Sequence, residues 1–194
     1  VEDAVNYKFG ELPPASLTGF VYGDLNNNGN MEANEPGIAG VTMELLDANG
    51  NPTGITTVTD SLGRYFFGNL EPGTYGVRQV SQPAGWYDGL ESVGSSGGTA
   101  NNPGDSITGI TLDPGEDAVN YMFGELPPGS ISGYVYRDDD GDCIRDPGEP
   151  GLAGVKIELL DANGDVIQTT FTDANGQFRF DDVAPGSYSL RETQ

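Results

Sequence analysis

In DDDGDCIRDPGE (138–149), Asp138, Asp140 and Asp142 stand at alternate positions and Glu149 closes the run at its twelfth place. Carboxylates this close repel one another unless a positive charge sits between them. Side-chain oxygens at positions 1, 3 and 5, a backbone carbonyl at 7 (Ile144) and a bidentate carboxylate at 12 wrap hard donors around one point, the spacing of a calcium loop. A second stretch, DLNNNGNMEANE (24–35), keeps the spacing with Asp24, Asn26, Asn28, the carbonyl of Asn30, and Glu35. Two of its four side-chain ligands are carboxylates, against four in 138–149. Ligand charge tunes affinity, so the 24–35 site is expected to be the weaker. Position 9 is acidic in both loops, Glu32 and Asp146, and could bind directly or through water. Position 6 favours glycine for a sharp turn; Gly29 obeys and Cys143 departs. Asp/Asn/Gly clusters also make ordinary turns. Two loops at matching places, each with acid at 1 and 12, favour calcium over that reading.

The loops match because the chain repeats. VEDAVNYKFGELPPASLTGFVY (1–22) returns as GEDAVNYMFGELPPGSISGYVY (115–136), and NEPGIAGVTMELLDANG (34–50) as GEPGLAGVKIELLDANG (148–164). A repeat of this length is a whole small domain rather than a solenoid unit. Residues 1–14 read as the terminal strand of a preceding repeat, 15–128 as a complete repeat, and 129–194 as the first two thirds of another. The frame looks like a window on a longer tandem array, a mature product or a cut piece. A second reading of 1–12 is a strand supplied to a neighbouring copy of the chain.

Short segments with period-two hydrophobicity carry the repeat. Val155, Ile157 and Leu159 alternate with Lys156 and Glu158, and Val119, Tyr121 and Phe123 continue the pattern elsewhere, as do Tyr188 and Leu190. Gly, Pro, Asn and Asp bound these segments, and no stretch shows a helical stripe. The expectation is all-β: tandem antiparallel β-sandwich domains of prealbumin or Ig-like type. If the strands alternate up and down, the turns TDSLG (59–63) and TDANG (172–176) share an end with the calcium loops. Asp60 and Asp173 are then further candidate ligands. The LLDANG turns read as plain hairpins at the other end. Residues 88–106 read as a long Gly/Ser/Asn loop.

With 30 acidic residues, 8 basic ones and no histidine, the net charge is −22. Such a field repels nucleic acid and anionic membranes and concentrates cations. No apolar run approaches the roughly 18 residues of a membrane helix. The single cysteine allows no disulfide within the chain. No base stands near Cys143, and the acidic pairs are placed for a metal rather than for acid–base chemistry, so the chain is not expected to be an enzyme.

GYVYRDDDGDCIRDPGEPGLAGVKIELLDANG (133–164) with TDANGQFRFDDVAPGSYSLRE (172–192) resembles the SdrD B-like repeats of bacterial surface proteins, within the wider Cna-B group. GFVYGDLNNNGNMEANEPGIAGVTMELLDANG (19–50) matches the same pattern, and QPAGWYDG (82–89) its later part. The resemblance implies a secreted, calcium-rigidified stalk or spacer at the bacterial cell surface, in adhesins, biofilm-matrix or filament proteins. Its partners would be neighbouring repeats of the same protein, or other copies of the chain. Many Cna-B domains carry a Lys–Asn/Asp crosslink instead. Here Lys8 and Lys156 both alternate with inward residues, so no crosslink is expected. The alternative function is a module holding an extracellular protein or glycan through Trp86, Tyr87 and 88–106.

Overall fold

The computed structural model describes residues 8–102 and 104–193, and among these it forms β-strands and no helix. The chain divides into two compact units, Val1–Pro127 and Pro128–Gln194.

The first unit holds β1 (Ala15–Gly23), β2 (Thr42–Leu46), β3 (Pro52–Val58), β4 (Arg64–Leu70), β5 (Gly73–Gln79), β6 (Tyr87–Ser92), β7 (Thr99–Asn101), β8 (Ser106–Leu112) and β9 (Asp117–Leu126). They form two sheets, in the orders β4-β1-β9-β6 and β3-β2-β5-β8-β7. Along most of β1 and β4 alternate residues face inward, as a half-buried sheet requires. Leu17 and Val21, Tyr65 and Phe67, Tyr121 and Phe123 come from the first sheet; Met43, Leu45, Val77, Ile107 and Ile110 come from the second. Tyr65 meets Phe67 and Phe123 edge-on, at 6.1 Å between centroids in each case, and its hydroxyl donates to the Tyr121 carbonyl at 3.1 Å.

The expected all-β sandwich is found, and two details of it are corrected. The strands are antiparallel except β1 and β9, which pair in parallel. The chain can do this because β2–β8 supply the long connection that a parallel neighbour needs. The period-two assignment of Val119 also fails. Ala118 is fully buried and Val119 only partly, because Asn120 takes a left-handed φ of 67° and shifts the register against β1. One extra residue at such a bulge moves the upstream side chains to the other face.

The second unit pairs β10 (Gly129–Tyr134) with β13 (Gln177–Val183), and β11 (Lys156–Leu160) with both β12 (Val166–Phe171) and β14 (Ser189–Thr193). These repeat β1 with β4 and β2 with β3 and β5. Ile157, Leu159, Phe178, Phe180 and Val183 make its core. Leu190 remains 47% exposed, against the alternation that put it inside.

Residues 1–7 lie outside the described part. Residues 8–14 form no strand, and Phe9 is 92% exposed. The matching residues 122–126 end β9, which already occupies the parallel edge of β1. That seat is therefore not open to 8–14.

Candidate metal-binding loops

Each candidate loop leaves the first strand of its unit and is closed at its base by the backbone. Gly23 N–H donates to the Pro36 carbonyl at 2.8 Å, and Arg137 N–H to the Pro150 carbonyl at 3.0 Å. Next to each closure lies an isolated bridge, Tyr22 with Gly37 and Tyr136 with Gly151. Only glycine fits there: a Cβ on Gly37 would fall 2.0 Å from the Leu62 carbonyl oxygen, and one on Gly151 1.9 Å from that of Asn175.

Inside 24–35 the backbone curls around the side chains of positions 1, 3, 5 and 12. Asp24 accepts from Asn28 N–H at 3.1 Å and Gly29 N–H at 2.7 Å. Asn26 Oδ1 accepts from Asn28 N–H at 3.1 Å, and Asn28 Oδ1 from Asn30 N–H at 2.7 Å. Glu35 spans the loop, accepting from Leu25 N–H at 2.8 Å and Glu32 N–H at 2.9 Å. Asp24 is 0% exposed and Glu35 6%. The Tyr22 hydroxyl is buried beside them without a partner among the described residues. Burial, with the charges of Asp24, Glu35 and Glu32, pushes its pKa up.

The 138–149 loop repeats this scheme. Asp138 accepts from Gly141 N–H at 2.7 Å and Cys143 N–H at 3.0 Å, and these amides hold its carboxyl below the usual range. Asp142 accepts from Ile144 N–H at 2.7 Å. Glu149 accepts from Asp139 N–H at 2.8 Å and Asp146 N–H at 3.1 Å. Carboxylate oxygens of Asp138, Asp140 and Glu149 lie within 4.8 Å of one another, and so do those of Asp140, Asp142 and Asp146. Positions 1, 3 and 12 thus form one group and positions 3, 5 and 9 another, with Asp140 common to both. An all-oxygen set with this much negative charge suits a hard divalent cation.

Both loops need left-handed backbone at positions 4 and 6. Asn27 and Gly29 have φ of 54° and 74°; Gly141 and Cys143 have 77° and 64°. Each loop therefore fills one of these two positions with glycine, position 6 in the first and position 4 in the second. The departure at Cys143 leaves the geometry intact.

Asp60 and Asp173 lie at the expected end. Val21 N–H donates to the Gly63 carbonyl, and Val135 N–H to that of Gly176, each at 2.8 Å. Their carboxylates cap their own turns, Asp60 on the amides of Leu62 and Arg64, and Asp173 on those of Asn175 and Gln177. Among the described residues, no carboxylate group within 4.8 Å includes either of them. The LLDANG turns are hairpins, with Asp47 and Asp161 capping in the same way.

The alternative surface dissolves in part. Trp86 packs against the first core, and its ring lies over Gly23, where a Cβ would come within 2.3 Å of it. Residues 88–106 are not one long loop: most of β6, all of β7 and the start of β8 lie there. Lys8 is exposed. Lys156 is half-buried and ion-paired with Glu158, which also holds Arg191 at 2.6 Å. Sequence reasoning missed the acids Asp88, Glu91, Asp105 and Glu125. No spacing marks them, because strand register rather than sequence order brings them together.

The fold and loops define a pair of β-sandwich repeats, each opening on an oxygen-rich loop. The SdrD B-like domain model matches residues 15–125 and 129–194, and the chain belongs to that family. It is 37% identical over 178 residues to serine-aspartate repeat-containing protein F of Staphylococcus epidermidis, covering 92% of this chain and 10% of that protein. It is also 37% identical over 181 residues to serine-aspartate repeat-containing protein C of Staphylococcus aureus (strain Newman), covering 93% of this chain and 19% of that one. The chain thus spans a small part of these relatives. Among solved structures it is similar to a streptococcal ancillary pilin, with TM-score 0.46 and 15% identity over 93% of this chain and 54% of that one. It is also similar to GBS52, the minor pilin of Streptococcus agalactiae, with TM-score 0.42 and 16% identity over 93% and 83%.

Proposed function

We propose that this chain is a non-catalytic structural segment of a bacterial surface protein, a spacer whose repeats are stiffened by calcium at 24–35 and 138–149. The observation that carries the reading is the shared loop scheme: in both repeats the side chains at positions 1, 3, 5 and 12 accept from the loop's own amides, and in 138–149 the carboxylates gather in two groups that share Asp140. Asp24, Asn26, Asn28, Asn30 and Glu35 would hold one ion, and Asp138, Asp140, Asp142, Ile144 and Glu149 the other. Glu32 and Asp146 stand at the position that binds directly or through water. A bound ion would cancel the repulsion among these carboxylates. Pro127 and Pro128, which follow the end of β9, suit a short stiff linker between repeats, as do Pro13 and Pro14 ahead of β1. Neighbouring repeats are the first partners, and attachment to the cell surface is the expected setting.

The test is thermal unfolding of the chain in calcium, in EDTA, and in magnesium. With free calcium at roughly 100–1,000 times the dissociation constant, each site adds about 3–4 kcal/mol. A calcium-specific rise in melting temperature is expected. Equal melting in calcium and EDTA would remove calcium from both loops.

A further inference from the structure

We infer that the first unit carries a cation site apart from both loops, built by Asp88, Glu91 and Asp105, and that it takes calcium. One carboxylate oxygen from each of the three lies within 4.8 Å of the others. Asp88 and Glu91 stand on β6, an edge of the four-stranded sheet. Asp105 precedes β8 in the other sheet, where its carbonyl accepts from Gln79 N–H at 2.9 Å. The cluster therefore spans the two layers of the sandwich.

The decisive group is Glu91. It is 5% exposed, and its Oε2 is buried with no hydrogen-bond donor among the described residues. It is also held in place. Its backbone N–H donates to Asn102 Oδ1 at 2.7 Å, and Asn102 Nδ2 donates back to its carbonyl at 3.0 Å. A buried carboxylate oxygen without a donor is costly, and a paired or metal-bound one is the usual resolution. The protein supplies no cation of its own here. Of the basic residues of the first unit, Arg64 pairs with Asp60, Arg78 pairs with Glu44, and Lys8 is exposed.

A fourth acid makes the deficit larger. Glu125 faces Asp88 across the β6–β9 register and is 2% exposed. Its two oxygens are taken by the side-chain amides of Gln79 and Gln82, which leaves the other three acids to the ion. The donors are all oxygen, which selects a hard cation. They come from two sheets in no regular arrangement, which calcium tolerates and magnesium, with its strict octahedron, does not. Exposed Asp88 gives the ion a way in. None of these residues belongs to 24–35 or 138–149, so the inference stands or falls apart from the loops.

The test is calorimetric titration of the whole chain with calcium after removal of metal by chelator. Glu91→Gln and Asp105→Asn are each expected to bind one calcium fewer than the parent chain. In EDTA both variants should melt no lower than the parent, since each removes repulsion and keeps the side-chain shape. A chain with both loops disabled at their first ligand, Asp24→Asn with Asp138→Asn, should still bind one calcium. Unchanged stoichiometry in both Glu91→Gln and Asp105→Asn would overturn the site. So would the absence of any calcium from the loop-disabled chain when the parent binds it. Loops that bind nothing would show instead as equal stoichiometry in the parent and loop-disabled chains.

Discussion

Cys143 sits at φ 64°, where an ordinary L-residue is strained, and Gly29 takes the matching place in the other loop at φ 74°. Replacing Cys143 by glycine should therefore stabilise the second unit. The left-handed conformation costs a non-glycine residue about 1–2 kcal/mol. Glycine gives back about 0.4–1 kcal/mol through the larger freedom of its unfolded chain. The thiol is exposed, so little packing is lost. The net gain is about 0–1.6 kcal/mol, centred on about 0.8 kcal/mol, or about 3–6 °C in melting temperature at that centre for a unit of this size. The reverse change, Gly29→Cys, should cost a similar amount. A Cβ at Gly29 finds its nearest neighbour, the Leu90 Cβ, at 3.6 Å, so space is not the obstacle. The assay is thermal unfolding in EDTA with reductant, with Cys143→Ala as control, which removes the thiol and keeps the strain. If Cys143→Ala stabilises as much as Cys143→Gly, or if Gly29→Cys costs nothing, backbone strain at position 6 is not the cause.

Burial and the neighbouring acids push Glu91 up to about 8, and burial pushes Glu125 up to about 7. Both lie above the unfolded carboxyl value, so the folded state binds more protons between them. Their stability contribution is present in full below the unfolded value and is lost as pH rises through about 7 and 8. In EDTA the unfolding free energy of the first unit, read from urea melts, should fall over that window, by at most about 1.4 kcal/mol per pH unit for each proton released. Gly37→Ala and Gly151→Ala drive a Cβ into backbone carbonyls at 2.0 and 1.9 Å. Each should cost about 1–3 kcal/mol or more, read as a lowered urea midpoint. Calcium affinity at 138–149 should fall more steeply with added salt than at 24–35, because its carboxylates are the more exposed and the more numerous. Titrations of the two single-loop chains at low and high ionic strength check this.

The loops were legible because all their candidate ligands lie within twelve residues of one another, so spacing alone brings them together. The alternation of Ile157 with Leu159 and of Tyr121 with Phe123 likewise named real core positions. Long-range placement was not legible. A single left-handed residue, Asn120, traded Val119 for Ala118 in the core, and nothing in an Asn flanked by strand-like residues announces a bulge. The parallel seat of β9 beside β1 depends on which edges the intervening strands leave open. The Asp88, Glu91 and Asp105 cluster depends on the same register, since β6 and the turn before β8 belong to different sheets. Within 88–106, Gly and Ser hid edge strands whose inward positions are a glycine and an acid, Gly89 and Glu91, rather than apolar side chains.

One spacing yields two unlike loops because the surroundings differ. In the first unit β6 and β9 seat the loop: Ser92 Oγ donates to the Gly29 carbonyl at 2.7 Å, and Asp24 N–H donates to the Glu125 carbonyl at 2.8 Å. These contacts bury Asp24 and hold its oxygens ready before any ion arrives. Among the described residues of the second unit no strand stands in the place of β6 or β9, and Asp138, Asp140 and Asp142 are exposed. Charge count favours 138–149, while preorganisation and the lower dielectric around Asp24 favour 24–35. The two effects oppose, so ligand charge read from sequence is only half of the affinity argument. Seating the 138–149 loop as firmly as its counterpart would join the larger charge to the smaller ordering cost, and that loop would then be the tighter of the two.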